Sequence, residues 1–164
     1  MMPWKMHRPE QGFTLMEILI ACAIAAIAMS IAVIKLDPSD NQRLKLAAET
    51  LINRLEAAHN EAVTRGQAVS FSTDGQGYQF WIEDTERNIW VALPNTNTIA
   101  SAQLPQGIVL STLRINGMPR PLGERLTFSS SGLADVFTLT LSAGSLTFDI
   151  SGDALGRIEI RHAL

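Results

Sequence analysis

The sequence predicts an α+β fold: a long N-terminal hydrophobic helix followed by an antiparallel β-rich globular head. Three observations predict it. From Ile18 to Ile34 no residue carries a charge. From Leu44 to Val63 apolar residues recur at spacings of three and four, the period of one helix face. From Ala68 onward the period changes to two, interrupted at short intervals by Gly, Asn, Asp and Pro.

The apolar run comes first in the chain. Seventeen residues of helix rise about 26 Å, and Phe13 to Leu36 about 36 Å, against a hydrocarbon thickness of ~30 Å. A cleaved secretory signal would carry a shorter apolar stretch and a small-residue cleavage site after it. Here the run ends in IAVIKLDPSD, with no such site. A membrane span is therefore expected over 13–36. Lys5 and Arg8 precede it and Lys35, Arg43 and Lys45 follow it, so basic residues alone do not fix its direction. Glu17, one turn into the run, is out of character. Residue chemistry leaves two roles open for it: a charge reaching back to the headgroups, or a charge paired with a cation on another chain.

Asp37-Pro38-Ser39-Asp40 should break the helix, because proline lacks a backbone donor and clashes with the preceding turn. Ser39 and Gln42 have the spacing of a capping box, which suits a restart. The amphipathic helix that follows, within 37–66, presents Leu44, Ala48, Leu51, Ile52, Leu55, Ala58, Ala62 and Val63 on one face, with Gly66 as its stop. The segments AVSFS, YQFWIED, NIWVALP, GIVLSTLRI, RLTFSSS, VFTLTLS, SLTFDIS and RIEIRH read as eight strands of a head over 67–164. TDGQG and SAGS join expected hairpin partners. NTNTIASAQLPQ and NGMPRPLGE read as longer links.

Composition narrows the class. Apolar residues make up 46% of the 164-residue chain and charged residues 18%, much of the apolar excess lying in the first 36. Without Lys5, Arg8 and Lys35 the thirteen basic residues fall to ten; without Glu10 and Glu17 the sixteen acidic ones fall to fourteen. A body of net charge −4 is a poor electrostatic partner for nucleic acid or anionic lipid. Cys22 is the only cysteine, so no internal disulfide forms.

The stretch QGFTLMEILIA resembles the prepilin-type signal of type IV pilins and type II secretion pseudopilins. That resemblance implies cleavage by a prepilin peptidase between Gly12 and Phe13, N-methylation of Phe13, and retention of the apolar segment. Residues 1–12 would be a cytoplasmic leader, and Glu17 the glutamate that meets the terminal amine of a neighbouring subunit during assembly. AAETLINRLEAAHNEAVTRGQAVSFSTDGQGYQFW resembles the helix-to-first-strand segment of GspH/FimT-type minor pilins. LTFSSSGLADVFTLTLS with the late GDALGRIEI resembles the GspH branch, the minor pseudopilins of type II secretion. The fold implied is type IV pilin-like. The function implied is that of a non-enzymatic structural subunit of the periplasmic pseudopilus, which helps export folded proteins across the outer membrane. Its partners would be other major and minor pseudopilins, the prepilin peptidase, the inner-membrane secretion platform, and membrane lipid before assembly. The implied location is the bacterial inner membrane, single-pass, with the C-terminal head in the periplasm.

Catalytic, metal and cofactor sites are not expected. His7, His59 and His162 lack metal-ligand spacing, and no nucleophile motif occurs around the serines. Asp74, Glu83 and Asp84 lack a calcium loop, Asp74-Gly75 being first a hairpin turn. Gly75 and Gly77 have no following Lys-Ser/Thr, so they make no phosphate loop. Tyr78, Phe80, Trp81 and Trp90 are accompanied by Glu83, Asp84 and Glu86, which suits a core or a protein interface better than base stacking. Arg114, Arg120 and Arg125, with Arg157 and Arg161, are the candidates for the alternative function, a FimT-like type IV minor pilin binding DNA for uptake. Glu159 within RIEIRH weakens it. A third alternative is an unrelated single-pass protein with a β-rich solute-binding domain, against which the Gly-Phe-Glu constellation argues.

Overall fold

The structure, a computed structural model, describes the backbone of residues 15–34 and 40–162 and the side chains of 15–26 and 40–161. The chain divides into two compact units, Met1–Pro38 and Ser39–Leu164. The described part of the first is one helix, α1 (Leu15–Ile34). Asp37-Pro38-Ser39, where the sequence predicts a break and a cap, lie outside the described residues.

The second unit opens with α2 (Asp40–Arg65). Leu44, Ala47, Ala48, Leu51, Leu55, Ala58 and Ala62 are its buried residues, a stripe stepping by three and four along one face. Ile52 and Val63 flank that stripe: Ile52 is half-buried and Val63 is 47% exposed. Ala47, not expected in the core, takes a place there. The helix stops where Gly66 enters the left-handed region at φ 66°. The Gln67 amide donates to the Ala62 carbonyl and the Gly66 amide to the Val63 carbonyl, the paired bonds of a Schellman cap.

Among the described residues ten strands follow: β1 (Val69–Thr73), β2 (Gly77–Asp84), β3 (Ile89–Ala92), β4 (Ala102–Gln103), β5 (Val109–Ile115), β6 (Met118–Arg120), β7 (Leu126–Phe128), β8 (Phe137–Ala143), β9 (Leu146–Gly152) and β10 (Ile158–His162). They form two antiparallel sheets. The first runs β3-β2-β1-β7, with β4 also paired to β2, and the second runs β10-β9-β8-β5-β6. The expected hairpins β1–β2 and β8–β9 are present. Two strands lie in segments read as links. β4 makes a two-residue ladder with Gly77 and Tyr78. β6 is the edge strand of the second sheet and contains Pro119, an edge being where proline costs no ladder bond.

Alternation sets the core. Phe71 and Phe80 of the first sheet, and Phe137, Leu139, Leu141 and Ile150 of the second, are buried together with the α2 stripe and with Leu126 and Phe128 of β7. The helix contacts β1 and β7 of one sheet and β8, β9 and β10 of the other. Every residue of this core lies within the second unit. In β5 the alternation slips: Leu110 and then Leu113 and Ile115 point inward, because the register shifts between Leu110 and Thr112. The extra residue, Ser111, is a β-bulge. Arg54 of α2 donates to the Tyr78 hydroxyl at 2.6 Å and to the Ala100 carbonyl at 2.9 Å, tying the helix to β2 and to the segment before β4. Burial raises the Tyr78 phenol above its ordinary pKa, with the Arg54 charge and hydrogen bond opposing the rise.

Candidate functional site

α1 is the first candidate. Leu15, Leu19 and Ile24 are 83%, 63% and 63% exposed, and Met16, Ile18 and Ile20 are exposed as well. These residues cover the circumference of the helix, so among its described side chains, 15–26, no polar face turns toward water. Helices of that kind are buried by other helices or by lipid. Glu17 sits in the first turn of α1 and is exposed. A carboxylate at that place is favoured by the unpaired amides of the helix start. Gly12 and Phe13 lie outside the described residues. Among the described residues, no helix is long and apolar enough to cross a membrane. The described side chains of α1 stop at Ala26, although its backbone is helical to Ile34.

The head arginines are the second candidate. Arg114, Arg120 and Arg161 line one concavity of about 790 Å³ on the second sheet, and Arg157 and Arg161 a neighbouring one of about 500 Å³. Their charges are largely answered from within the chain. Arg120 pairs with Glu124 at 3.5 Å, Arg157 with Asp153 at 2.8 Å and Arg161 with Glu159 at 2.9 Å. Arg114 donates to the Gly117 carbonyl at 3.1 Å, and Asp149 stands among the lining residues. Such a surface is mixed in sign, not a basic stripe.

Arg125 is not part of it. Its guanidinium lies over the rings of Trp81, at 5.0 Å from the centroid, and Trp90, at 5.6 Å, on the first sheet. Sequence reasoning grouped Arg125 with the loop arginines and the tryptophans with acidic neighbours. The clasp depends on β7 pairing with β1, a long-range contact with no local signal.

The acidic and histidine candidates have structural roles. The Asp74 carboxylate accepts from the amides of Gly77 at 2.7 Å and Gln76 at 2.9 Å, closing the β1–β2 turn. Those two donors, Gly77 first, hold its pKa below the usual carboxylate range. Asp153 does the same for the loop before β10. Its pKa is lowered first by the Arg157 amide and also by the Arg157 side chain and the Leu155 amide. Asp84 accepts from the amides of Glu86 and Arg87 at 3.1 Å each. His59 of α2 contacts the Gly132 carbonyl at 2.9 Å through Nε2 and meets the Phe128 ring edge-on. His162 ends β10, and His7 lies outside the described residues. No group of three or more His, Cys, Asp or Glu among the described residues could hold a metal ion.

Comparison with known proteins bears on both units. The prokaryotic N-terminal methylation motif matches residues 7–33, a range containing Gly12, Phe13 and Glu17. The family model of the type II transport protein GspH matches residues 47–161, which takes in most of α2 and all but the end of the last strand. No curated protein matches the chain. Among solved structures, the minor pseudopilin EpsH from the type 2 secretion system of Vibrio cholerae superposes with a TM-score of 0.62 at 18% identity. That likeness covers 73% of this chain and 96% of the other. The solution structure of GspH from E. coli gives 0.59 at 13% identity, over 78% of this chain and 95% of the other. Both likenesses show a shared fold, helix and antiparallel sheets as described above. With the family model extending over more than half of its residues, the chain belongs to the type II transport protein GspH family.

Proposed function

We propose that the chain is a minor pseudopilin of the type II protein secretion system, a structural subunit of the periplasmic pseudopilus. The observation that carries this reading is the order of the two matches on one chain, a methylation motif over 7–33 followed by a GspH head over 47–161. An apolar helix without a polar face fits the same role. Lipid would cover it before assembly, and the helices of other pseudopilins would cover it afterwards. Prepilin peptidase would cut after Gly12 and methylate Phe13, and Glu17 would then meet the terminal amine of a neighbour. A buried carboxylate is tolerable when so paired and costly when alone, which makes Glu17 a register device. The segments would serve as leader (1–12), membrane and filament helix (13–36), amphipathic stalk (37–66) and periplasmic head (67–164). The secretion platform of the inner membrane would draw the subunit into the filament. No step of this work calls for a catalytic residue.

The test is a photocrosslinking side chain placed at Leu19, in cells expressing the secretion system. Adducts with other pseudopilins are the expected result. Adducts with lipid alone, under conditions in which secretion proceeds, would contradict it.

A further inference from the structure

We propose that the Trp81–Arg125–Trp90 clasp on the outer face of the first sheet is a docking point for a carboxylate side chain presented by another pseudopilin head; this rests on the filament reading above. The face follows from register. Tyr78 and Phe80 of β2 are buried in the core, so Trp81 and Glu83 alternate to the other side. Glu83 lies opposite Trp90 of β3, and Trp81 opposite Ser70 of β1, which itself lies opposite Thr127 of β7. Arg125, immediately before β7, is exposed and crosses this face to both indoles.

Two features make the clasp more than packing. Among the described residues, Arg125 is the one basic side chain with neither a hydrogen bond nor an ion pair. Arg43, Lys45, Arg54, Arg65, Arg87, Arg114, Arg120, Arg157 and Arg161 each have one. Its planar group is held by ring faces while the N–H donors around its edge have no protein acceptor. That is the geometry in which a guanidinium takes a carboxylate side-on. The side chain also rests on two ring faces, which reduces the freedom a partner would have to remove. The second feature is the company. Trp and Arg are the residues that dominate binding at protein interfaces, and Trp90 stands on β3, an edge strand of the first sheet. An acid flanked by apolar side chains is the complement of such a surface.

A phosphate chain fits less well. The clasp offers a single unanswered cation, while Glu83 shares its face opposite Trp90. Glu83 shares the face and makes no ion pair with Arg125, so its charge should oppose an incoming carboxylate. That gives the proposal a sign that mere packing would not show.

The experiment uses the head, residues 39–164, which contains the whole core. Its binding to the purified heads of the other minor pseudopilins of the same system is measured by calorimetry. Trp4 precedes this fragment, so its tryptophan fluorescence comes from Trp81 and Trp90 and reports the state of the clasp in each variant. Arg125→Ala should weaken binding roughly tenfold or more. Arg125→Lys should recover little, because the planar fork is lost. Glu83→Gln should tighten binding about two- to fivefold. Unchanged affinity in Arg125→Ala, or weaker binding in Glu83→Gln, with thermal unfolding unaltered, would overturn the docking point and leave the filament role standing. A wild-type head that binds no pseudopilin head would count against both. Binding of duplex DNA that is lost in Arg125→Ala would replace the carboxylate with a phosphate and overturn the assignment.

Discussion

At Glu17 the proposed role would set two opposing demands on one carboxylate. Membrane insertion is easier without it, by roughly 2.5–3.5 kcal/mol were it at the centre of a span, whereas a neighbour's terminal amine would lose its partner. Glu17→Ala should therefore leave the membrane-bound fraction unchanged or larger while reducing adducts from the Leu19 crosslinker. Unreduced adducts would point to a charge that only reaches the headgroups. Gly152 is decided by packing alone. A Cβ there would run into the Phe137 ring, which is itself buried and cannot swing aside. Gly152→Ala should cost about 1–3 kcal/mol in urea unfolding, as overpacking does. Asp74 and Asp153 contribute to the acid behaviour of the head. Because both carboxyls are held below the usual range, their charged forms stabilise the fold at pH values above ~3.9, the ordinary carboxylate value. That contribution is lost as the pH falls through the lowered folded values. The melting temperature of the head should be flat near neutrality and fall below about pH 4, and Asp74→Asn should start lower and fall less steeply. The Asp74 turn was legible in the sequence, because its Asp-Gly signal is local. Arg125 was not, because its two partners are 44 and 35 positions away and reach it only through the sheet.

The amphipathic helix shows what periodicity can and cannot supply. Six of the eight residues expected on its inner face are fully buried, and the two that are not, Ile52 and Val63, sit one position beyond a buried neighbour, at the margin of the stripe. Spacing gives the direction of the face, but its width depends on what covers it. Leu51→Ala, in the middle of the stripe, should destabilise the head by about 2–5 kcal/mol. Leu46→Ala, at a position 65% exposed, should change stability by about 0.5 kcal/mol or less, and denaturant unfolding of the pair checks the assignment. Among the strands, β6 was hidden inside a segment rich in Pro and Gly. Its hairpin was still written there as Asn116-Gly117, whose φ values of 52° and 78° are those of a tight two-residue turn joining Ile115 and Met118. The bulge at Ser111 and the two-residue β4 have no comparable mark. Each exists because a partner strand sets the register, and a partner strand is a long-range fact.

On the scale of the whole molecule, the chain joins a head that buries its own core to an apolar helix whose described side chains, 15–26, are exposed. The head accounts for the GspH match, and the helix for the methylation motif. A secretory signal would be removed from such a head, whereas a filament subunit must keep its helix, so the fate of the N-terminus separates the two. The most direct measurement is the intact mass of the protein extracted from membranes of cells that contain prepilin peptidase. The account predicts a chain that begins at Phe13, carries one N-methyl group and retains α1. A mature chain that begins near Asp37 or Ser39, with the apolar helix gone, would contradict it.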